Sequence, residues 1–528
     1  MLLCYVDTMG QCESDQAKLL DFMASPEAYD PAPARVERVE THASVVFLAG
    51  QRAYKVKRAI RYPFLDFSTL ELRRAACLNE LAINRRTAPH LYLEVVPVTI
   101  SDDGKFHLNG KGKVVEWVLA MRRFEQAGLY DRMAEEGRLP LSAIPQLAAT
   151  IAAFHRSADR LLAPEQSVAA LHAVLKDNAA AIAAKGSDLS LVALAAVNRQ
   201  SRESLAALEP LLKARALGGY VRHCHGDLHL RNIVDIDGSP VLFDAIEFDD
   251  AIATVDVLYD LAFLLMDLGA RGLPAHANLV LNAYLDAYGG TGNLIGLKAL
   301  PLFLSVRAMI RAKVELLRAG LTPGPAQNEA RHRAATYVLL AREYLVARRP
   351  RLVAIGGLSG SGKSSVAQAL APPLGPFPGA VQVRSDLERK RLFGLSADHQ
   401  LPEQAYAAEV SDVVYRICRK RALMVLEGGQ AVIVDGVHAK AEEREAIAAC
   451  AARAGVEFTG LWLEAPPETM RGRIAGRRGD ISDATPAVLD QQLAYDLGPQ
   501  SFAVVDANRP LDQVVASCLG LIGEAKSG

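Results

Sequence analysis

The stretch HCHGDLHLRNIVDIDGSPVLFDAIEF, residues 223–248, places acidic and amide side chains at short, regular spacings. Asp227 is separated by four residues from Asn232, and Asp244 ends the apolar run VLFD. Carboxylate and amide oxygens are ligands that Mg²⁺ prefers, and a separate carboxylate can orient or deprotonate a hydroxyl group. The pattern therefore predicts that Asn232 and Asp244 bind Mg²⁺ and that Asp227 acts on a hydroxyl acceptor.

A second stretch, GLSGSGKSS at residues 357–365, combines glycines with a lysine and hydroxyl side chains. Glycine permits backbone angles that turn successive N–H groups inward, where they form a nest for phosphate oxygens. A helix that begins here adds the positive end of its dipole. Lys363 can reach the outer phosphates, and the Ser364 hydroxyl can bind Mg²⁺. The predicted nucleotide-binding residues are Gly357, Ser359, Gly360, Ser361, Gly362, Lys363, Ser364 and Ser365.

Three later segments carry charged side chains that could act on the same phosphates. Asp435 ends the apolar run QAVIVD, where a carboxylate would meet Mg²⁺ or its water. Asp386 follows a predicted strand, and Arg389 comes one helical turn later. The segment MRGRIAGRR predicts an arginine-rich mobile lid, although arginines at this spacing also form solvated helix faces. Its arginines are Arg471, Arg473, Arg477 and Arg478, of which Arg473 and Arg477 are expected to contact the nucleotide.

Two different architectures must position these residues. Short β-branched runs within residues 36–58 and 91–120 predict a small sheet, and apolar spacing of three and four residues over 141–216 predicts helices. Strands return at 231–248 before helices resume. After Pro350, apolar strands alternate with helices, which predicts a five-stranded parallel sheet covered on both faces.

We therefore expect an α+β bilobal domain at residues 1–348, followed by an α/β domain at residues 349–528. The small lobe should cover residues 30–122 and the helical lobe residues 123–348. The boundary is placed near Pro350 because a proline disfavours helix at the residue before it.

The N-terminal motifs resemble those of the aminoglycoside phosphotransferase-like kinases, a small-molecule branch of the protein-kinase fold. The sequence HGD at residues 225–227 replaces the HRD of protein kinases, and THAS at residues 41–44 stands where their glycine-rich loop would lie. The resemblance implies that Lys55 in RAYKVKRAI binds the nucleotide and pairs with Glu80. Lys57, on the same strand face, is the runner-up, and one of the two lysines is expected to be solvated.

The same resemblance assigns supporting roles around the catalytic loop. It implies that Asp260 braces this loop and that His155 packs beneath it. A different interpretation makes His223, Cys224, His225 and His229 a zinc cluster. Zinc is disfavoured because adjacent residues cannot all point at one ion.

Residues 350–528 resemble the small P-loop kinases related to polynucleotide kinase, zeta toxins and gluconate-type kinases. In that resemblance Asp386 accepts the proton of the acceptor hydroxyl, and Arg389 binds the acceptor. An exposed helix N-cap aspartate followed by a surface arginine is the alternative. With the stretch YKVKRAIRYPFLDFSTLELRR, the whole chain resembles bacterial fusions of an aminoglycoside phosphotransferase-like domain with a P-loop ATP-binding domain.

Composition excludes some classes of protein. With 59 basic and 60 acidic residues the chain has no globally basic coat, which makes nucleic acid an unlikely partner. Its seven cysteines show no metal or redox spacing, and their odd number suits a reducing compartment. The N-terminus lacks the pattern of a signal peptide, and no long uninterrupted apolar run stands out, so we expect a cytoplasmic protein without a membrane partner.

The sequence thus predicts a bifunctional, ATP- and Mg²⁺-dependent phosphotransferase that transfers the γ-phosphoryl group to a small-molecule hydroxyl acceptor, such as a sugar, an aminoglycoside or a nucleoside. In one alternative, only one half is catalytic and the other senses nucleotide. In another, the P-loop half phosphorylates 5′ hydroxyls of nucleic acid. The acceptors, the activity of both sites and the oligomeric state stay open.

Overall fold

The computed structural model describes residues 9–41, 43–62, 65–186, 189–321, 324–396, 399–476 and 482–524. The chain forms two compact units: one comprises Met1–Leu162 and Gly219–Asp260, and the other comprises Ala163–Gly218 and Leu261–Gly528. The predicted domain boundary at residues 348 and 349 lies inside the second unit. Helices of the predicted helical lobe therefore share one compact body with the C-terminal sheet, and the predicted domain limits stay a prediction.

An antiparallel six-stranded sheet dominates the first unit, with strand order β1-β2-β3-β8-β6-β7. One face of this sheet, which includes Phe47, Val56 and Val118, packs against Leu19 and Met23 of the first helix. The strands in this part of the chain are β1 (Val36–Glu40), β2 (Ser44–Ala49), β3 (Arg52–Lys57), β4 (Arg61–Tyr62), β5 (Leu65–Asp66), β6 (Tyr92–Ile100), β7 (Phe106–Leu108) and β8 (Lys113–Arg122).

Helices and two short strand pairs make up the rest of the N-terminal part. The pairs are β9 (Val221–His223) with β12 (Thr254–Asp256), and β10 (Ile233–Ile236) with β11 (Ser239–Leu242), both antiparallel. The helices are α1 (Met9–Ala24), α2 (Leu70–Asn84), α3 (Tyr130–Glu135), α4 (Ile144–Ser157), α5 (Pro164–Lys185), α6 (Leu191–Leu217), α7 (Asp250–Ala253), α8 (Val257–Ala270), α9 (Pro274–Tyr288), α10 (Gly292–Gly296), α11 (Leu300–Leu321) and α12 (Pro325–Tyr344).

Helix α2 packs against the second face of the small sheet, and a buried polar cluster ties it to β8. Arg73 on α2 donates from Nε to both carboxylate oxygens of Glu116 on β8, at 2.9 Å each. Gln16 on α1 donates to the same carboxylate at 2.6 Å. Since a buried carboxylate is costly unless it is paired and hydrogen-bonded, this cluster fixes where α2 lies. The helix begins after Thr69, whose hydroxyl accepts the Leu72 N–H.

A parallel five-stranded sheet, with order β14-β15-β13-β16-β17, confirms the predicted α/β architecture of the C-terminal part. Its central strands are apolar along their length because both faces are buried. The strands are β13 (Arg351–Gly356), β14 (Val381–Arg384), β15 (Val432–Asp435), β16 (Glu457–Glu464) and β17 (Ala503–Asp506). The helices are α13 (Lys363–Leu370), α14 (Ser385–Leu392), α15 (Ala408–Glu427), α16 (Ala441–Ala454), α17 (Pro467–Ala475), α18 (Pro486–Leu493) and α19 (Leu511–Glu524).

One stretch of the described chain, Gly292–Leu321, is long and apolar enough by length and composition to cross a membrane. In the folded protein, 78% of its most apolar window is buried. A core helix passes the same test, so the expected absence of a membrane partner stays a prediction.

Removing Glu116 should destabilise the first unit, because Arg73 would keep a buried charge without its partner. We expect Glu116→Ala to lower the free energy of unfolding by about 3–5 kcal/mol. Urea unfolding can be followed by Trp117 fluorescence in a Trp462→Phe background, since the chain has 2 tryptophans.

The matched control is Asp103→Ala, which removes an exposed ion pair with Lys105 in the same unit. It should leave the transition unchanged. Equal effects of the two substitutions would contradict the role given to the buried cluster.

Candidate active sites

Both candidate lysines of β3 contact the same buried glutamate. The distance from Lys55 Nζ to Glu80 Oε1 is 2.7 Å, and that from Lys57 Nζ to Glu80 Oε2 is 2.5 Å. The predicted Lys55–Glu80 ion pair is thus present. The expectation that one lysine is solvated is wrong: Lys57 is 2% exposed and also pairs with Glu247 at 2.6 Å. Glu247 reaches it because the chain after Asp244 returns toward β3.

The charges of this cluster shift one another's pKa values. Burial alone would raise the pKa of Glu80, but the ammonium groups of Lys55 and Lys57 outweigh it and lower the pKa to about 2. Burial would lower the pKa of Lys55, yet Asp244, Glu80 and Glu247 raise it well above its usual value. For Glu247, burial and the charge of Glu80 raise the pKa despite Lys57. Glu80 and Lys55 are therefore both charged at neutral pH.

Asp227 and Asn232 lie together in the loop between β9 and β10. Asn232 donates from Nδ2 to the Asp227 carboxylate at 3.0 Å and to the Asp227 carbonyl oxygen at 2.9 Å. His229 Nε2 lies 3.3 Å from the same carboxylate. The Asp227 side chain remains 38% exposed. The loop thus presents a carboxylate at the surface of the site while its neighbours restrict the carboxylate's orientation.

Asp260 holds this loop from below, as the resemblance implied. Its carboxylate accepts the backbone N–H groups of His225 at 3.1 Å and Gly226 at 2.9 Å, and His155 Nε2 at 3.1 Å. Gly226 has φ +81°, a conformation that disfavours residues with a side chain. Burial lowers the pKa of His225, so its ring stays neutral while Nε2 donates to the Phe243 carbonyl oxygen at 2.9 Å.

Asp244 is held in a strained turn beside Lys55. Its φ is +58°, and its carboxylate lies 2.9 Å from Lys55 Nζ. The Asp244 N–H donates to the Tyr92 hydroxyl oxygen at 3.0 Å, and the next N–H, of Ala245, donates to Asn84 Oδ1 at 2.8 Å. These two contacts hold a backbone conformation that an aspartate seldom adopts.

Sequence reasoning missed Tyr92 and Asn84. Asn84 had a detectable signal, because Arg73, Cys77, Glu80 and Asn84 form a stripe at helical spacing on α2 and all four are buried. Polar residues on a buried helix face require specific partners. Tyr92 had no such signal, since a tyrosine in a strand is ordinarily a packing residue.

The structure brings the predicted residues of this site together. The Phe243 N–H donates to the Asn232 carbonyl oxygen at 3.0 Å, which places Asn232 next to the Asp244 turn. Asn232 Oδ1 and the Asp244 carboxylate are oxygen donors of the kind that Mg²⁺ prefers. Asp227, with its partly exposed carboxylate, could act on a hydroxyl group.

The zinc interpretation gains no support. Among the described residues, one group of His, Cys and acidic side chains has ligand atoms within 4.8 Å of one another: His155, Cys224 and Asp260. It includes Cys224 alone from the proposed cluster. The Asp260 oxygens already accept hydrogen bonds from the backbone of His225 and Gly226, and Cys224 Sγ donates to the Val255 carbonyl oxygen at 3.5 Å.

The second site is a cleft of about 970 Å³ over the loop between β13 and α13. Gly357, Gly360 and Gly362 have φ values of +138°, +83° and +97°. A residue with a side chain would be strained at these φ values, whereas glycine adopts them freely. The glycines therefore let the loop turn its N–H groups toward an anion. The predicted residues Ser359, Gly360, Ser361, Gly362, Lys363, Ser364 and Ser365 line the cleft.

The lysine and one hydroxyl group of this loop are held by neighbouring groups at the cleft. Lys363 Nζ donates to the carbonyl oxygens of Gly357 at 2.8 Å and Leu358 at 3.0 Å, so the ammonium group lies over the loop. The Ser364 hydroxyl donates to Asp435 Oδ2 at 2.7 Å. The predicted pair of Mg²⁺ ligands, Ser364 and Asp435, is therefore adjacent, and both line the cleft.

Asp386 and Arg389 line the same cleft from helix α14. Asp386 lies inside the first helical turn, and Arg384 is the N-cap. Arg389 is 7% exposed, donates to Ser411 Oγ at 3.2 Å and to the Ala405 carbonyl oxygen at 2.5 Å, and lies 5.1 Å from the centre of the Tyr406 ring. The alternative of an exposed cap followed by a surface arginine is wrong. The acceptor-binding role stays a prediction.

The two arginines of the predicted lid that the structure describes, Arg471 and Arg473, do not come together. Arg473 donates to the Ser361 carbonyl oxygen at 3.3 Å and to that of Ala507 at 2.8 Å, and it lines the cleft. Arg471 pairs with Asp490 instead. Residues two apart on a helix point in widely different directions, which explains the divergence. The predicted Arg477 and its neighbour Arg478 lie outside the described residues.

Gln492 on α18 is a contact that sequence reasoning missed. Its Oε1 accepts the Ser359 N–H at 2.8 Å, and the side chain is buried. A glutamine far along the chain from the phosphate loop carries no local signal of such a contact.

Two family matches cover the two parts of the chain. Residues 49–294 match the family described as "Phosphotransferase enzyme family", and residues 352–496 match the family described as "AAA domain". They confirm the resemblance to a phosphotransferase domain followed by a P-loop domain. Uncharacterized proteins of Mycobacterium tuberculosis and Mycobacterium bovis are 29% identical over 474 residues, which cover 87% of this chain and 90% of each relative.

Similar solved structures each correspond to one part of the chain. A choline/ethanolamine kinase family protein from Mesorhizobium loti is 13% identical, with 61% of this chain and 99% of that chain covered and a TM-score of 0.37. A gluconokinase from Sinorhizobium meliloti 1021 is 22% identical, with 34% and 96% covered and a TM-score of 0.26.

The low pKa of Glu80 predicts a pH-dependent contribution to stability. A carboxylate whose pKa is lower in the folded state stabilises the fold above its unfolded pKa, and the contribution disappears as pH falls through the folded pKa. At neutral pH, the free energy of unfolding of the wild type should exceed that of the Glu80→Gln variant by about 3 kcal/mol. This difference should shrink as pH falls from 4.5 to about 2.

Urea unfolding at several pH values, followed by Trp117 fluorescence in the Trp462→Phe background, measures the difference. Glu94→Gln removes an exposed carboxylate from the neighbouring strand β6 and is the matched control. A wild-type advantage over Glu80→Gln that does not change with pH would contradict the charge assignment.

Proposed function

We propose that this chain, which carries a phosphotransferase-family domain at residues 49–294 and a P-loop domain at residues 352–496, is a phosphotransferase with two nucleotide sites. Each site would take ATP with Mg²⁺ and a small molecule that bears a hydroxyl group. The observation that carries the proposal is the connected set of Asp227, Asn232, Asp244, Lys55 and Glu80 in one compact unit. Phosphoryl transfer needs positioned charge and a base more than covalent chemistry.

In the first site, Asp227 would accept the proton of the acceptor hydroxyl as its oxygen attacks the γ-phosphorus. The new P–O bond forms as the bond to the bridging oxygen breaks, and ADP leaves with the electron pair. Lys55, oriented by Glu80, would stabilise phosphate charge. Asn232 and Asp244 supply oxygen ligands that fit Mg²⁺, which would neutralise charge on the phosphates.

In the second site, Asp386 would accept the proton of the acceptor hydroxyl, as Asp227 would in the first site. Its carboxylate lines the cleft and accepts no hydrogen bond from any residue that the structure describes. The phosphate loop and Lys363 would bind the phosphates of ATP, and Ser364 with Asp435 fits Mg²⁺ or its water. Arg389 and Arg473 add positive charge along the cleft wall.

Two separate substitutions should identify the two activities. We expect Asp227→Asn to remove phosphorylation of one class of acceptor and Lys363→Ala to remove another, each by a factor of roughly 10² or more. The assay follows γ-labelled ATP over sugars, aminoglycosides, nucleosides and 5′-hydroxyl oligonucleotides, and product mass identifies the phosphorylated position.

The matched controls are Asp237→Asn, on the exposed β10–β11 turn, and Lys420→Ala, on the surface of α15; both should behave as wild type. Loss of all turnover in one variant alone would mean that the other half is a nucleotide-sensing module. Full activity in both would refute the proposal, and phosphorylated oligonucleotide would identify the P-loop half as an end-processing kinase.

A further inference from the structure

Helix α9 covers the open edge of the P-loop sheet, and both lie in the second compact unit. Among the described residues, strand β14 lies at the edge of the sheet and pairs with a strand on one side only. Asn278 donates from Nδ2 to the carbonyl oxygens of Pro378 and Ala380 at 3.0 Å each. Asn282, one turn later, accepts the Gln382 N–H at 2.7 Å. Two side-chain amides thus take the place of a neighbouring strand.

These contacts are specific because both asparagines are buried. Asn278 is 2% exposed and Asn282 is 6% exposed. A buried amide that loses its partners pays the full cost of desolvation, so α9 can lie on β14 in few registers. The edge strand is also protected from pairing with another chain.

The same stripe of α9 continues to the helix that carries Asp386. Asn278, Asn282 and Asp286 are spaced four residues apart and share one helix face. The Asp286 carboxylate pairs with Arg391 of α14 at 2.7 Å. Helix α14 follows β14 directly, so α9 contacts the strand and the helix at consecutive turns.

A second pair of charges completes the contact. Glu388 on α14 pairs with Arg391 on the same helix and with Arg421 of α15 at 3.0 Å. Arg421 also donates to the Gly290 carbonyl oxygen, just after α9, at 3.4 Å. Glu388 is 5% exposed and Arg421 12%. Asp286, Arg391, Glu388 and Arg421 therefore form a cluster of two acidic and two basic side chains between α9, α14 and α15.

Helix α14 connects this contact to the cleft, because its two sides carry different residues. At about 100° per residue, Asp386 and Arg389 lie on one side of the helix, while Glu388 and Arg391 lie on the opposite side. Fixing the side with Glu388 and Arg391 fixes the rotation of the side that faces the cleft. A misplacement of about 1 Å at a reacting group can cost a factor of 10² in rate.

We propose that Asp286, within the stretch that matches the phosphotransferase family, is a positioning residue for the P-loop site. It acts through Arg391 to hold α14 in the rotation that presents Asp386 and Arg389 to the cleft. The inference rests on the proposed function of that cleft. If the inference holds, helix α9, which lies within the N-terminal family match, is a necessary part of the second site.

The test uses the full chain with the first site disabled by Asp227→Asn and water as the acceptor of the phosphoryl group from ATP. In this background, Asp286→Asn should lower kcat for ATP hydrolysis by about 10-fold or more and leave the KM for ATP unchanged, because the phosphate loop is untouched. Asp286→Glu should recover most of the rate. Asp177→Asn, which removes an exposed ion pair with Lys313 in the same unit, is the matched control and should have no effect.

Hydrogen exchange provides a readout that does not depend on turnover. Asp286→Asn should speed exchange of the amides of residues 385–392 and leave those of β13 and α13 unchanged. Unchanged exchange at α14, or faster exchange across the whole sheet with a higher KM, would overturn the proposal. If Lys363→Ala shows that the site has no hydrolysis to lose, the proposed function of the cleft fails, and the exchange data alone decide the role of Asp286.

Discussion

The buried carboxylate of Glu80 joins both lysines of β3 to helix α2, and the arrangement of the first site depends on this contact. Each carboxylate oxygen holds one lysine of β3, and the group is fully buried. Without it, two ammonium groups would lie close together in a low-dielectric interior with fewer counter-charges, which is costly. Because Glu80 lies on α2 and the lysines on β3, the same contact also fixes the helix against the sheet.

Other residues of α2 extend this control to the remaining parts of the site. Arg73, two turns before Glu80, binds Glu116 and anchors the helix to β8. Asn84, one turn after Glu80, accepts the Ala245 N–H and so holds the chain just beyond Asp244. One face of α2 therefore contacts both the lysines of β3 and the turn at Asp244. The packing of this helix sets the distance between the positive and negative groups.

In the second site, the order of the strands brings the predicted residues together. The phosphate loop follows β13, Asp386 follows β14, and Asp435 ends β15. Since the order β14-β15-β13 makes these strands neighbours in a parallel sheet, their carboxyl ends meet at one edge. Groups that are far apart along the chain come to line one cleft, while the edge strand itself depends on the asparagines of α9.

Much of this organisation could be predicted from residue types and spacing. Local signals sufficed for the alternating strands and helices after Pro350 and for the glycine loop, because both depend on neighbours in sequence or on strand and helix periodicity. The Lys55–Glu80 pair and the position of Asp260 were expected from the resemblance to a kinase family. Neighbouring residues in the sequence could not show that Lys57 would be buried or that Arg471 would pair with Asp490 rather than lie beside Arg473. Burial depends on what packs above a residue, and that partner is distant in sequence.

The sequence by itself determined two architectures, and the types and spacing of the residues from which we predicted phosphate and metal binding. Tertiary structure alone decided that Glu247 would join the lysine cluster, that Tyr92 and Asn84 would hold the Asp244 turn, and that α9 would complete the P-loop sheet. The reason is physical: periodicity encodes which face of an element is buried. The identity of its partner follows only from the pairing of buried charges and polar groups once distant segments pack.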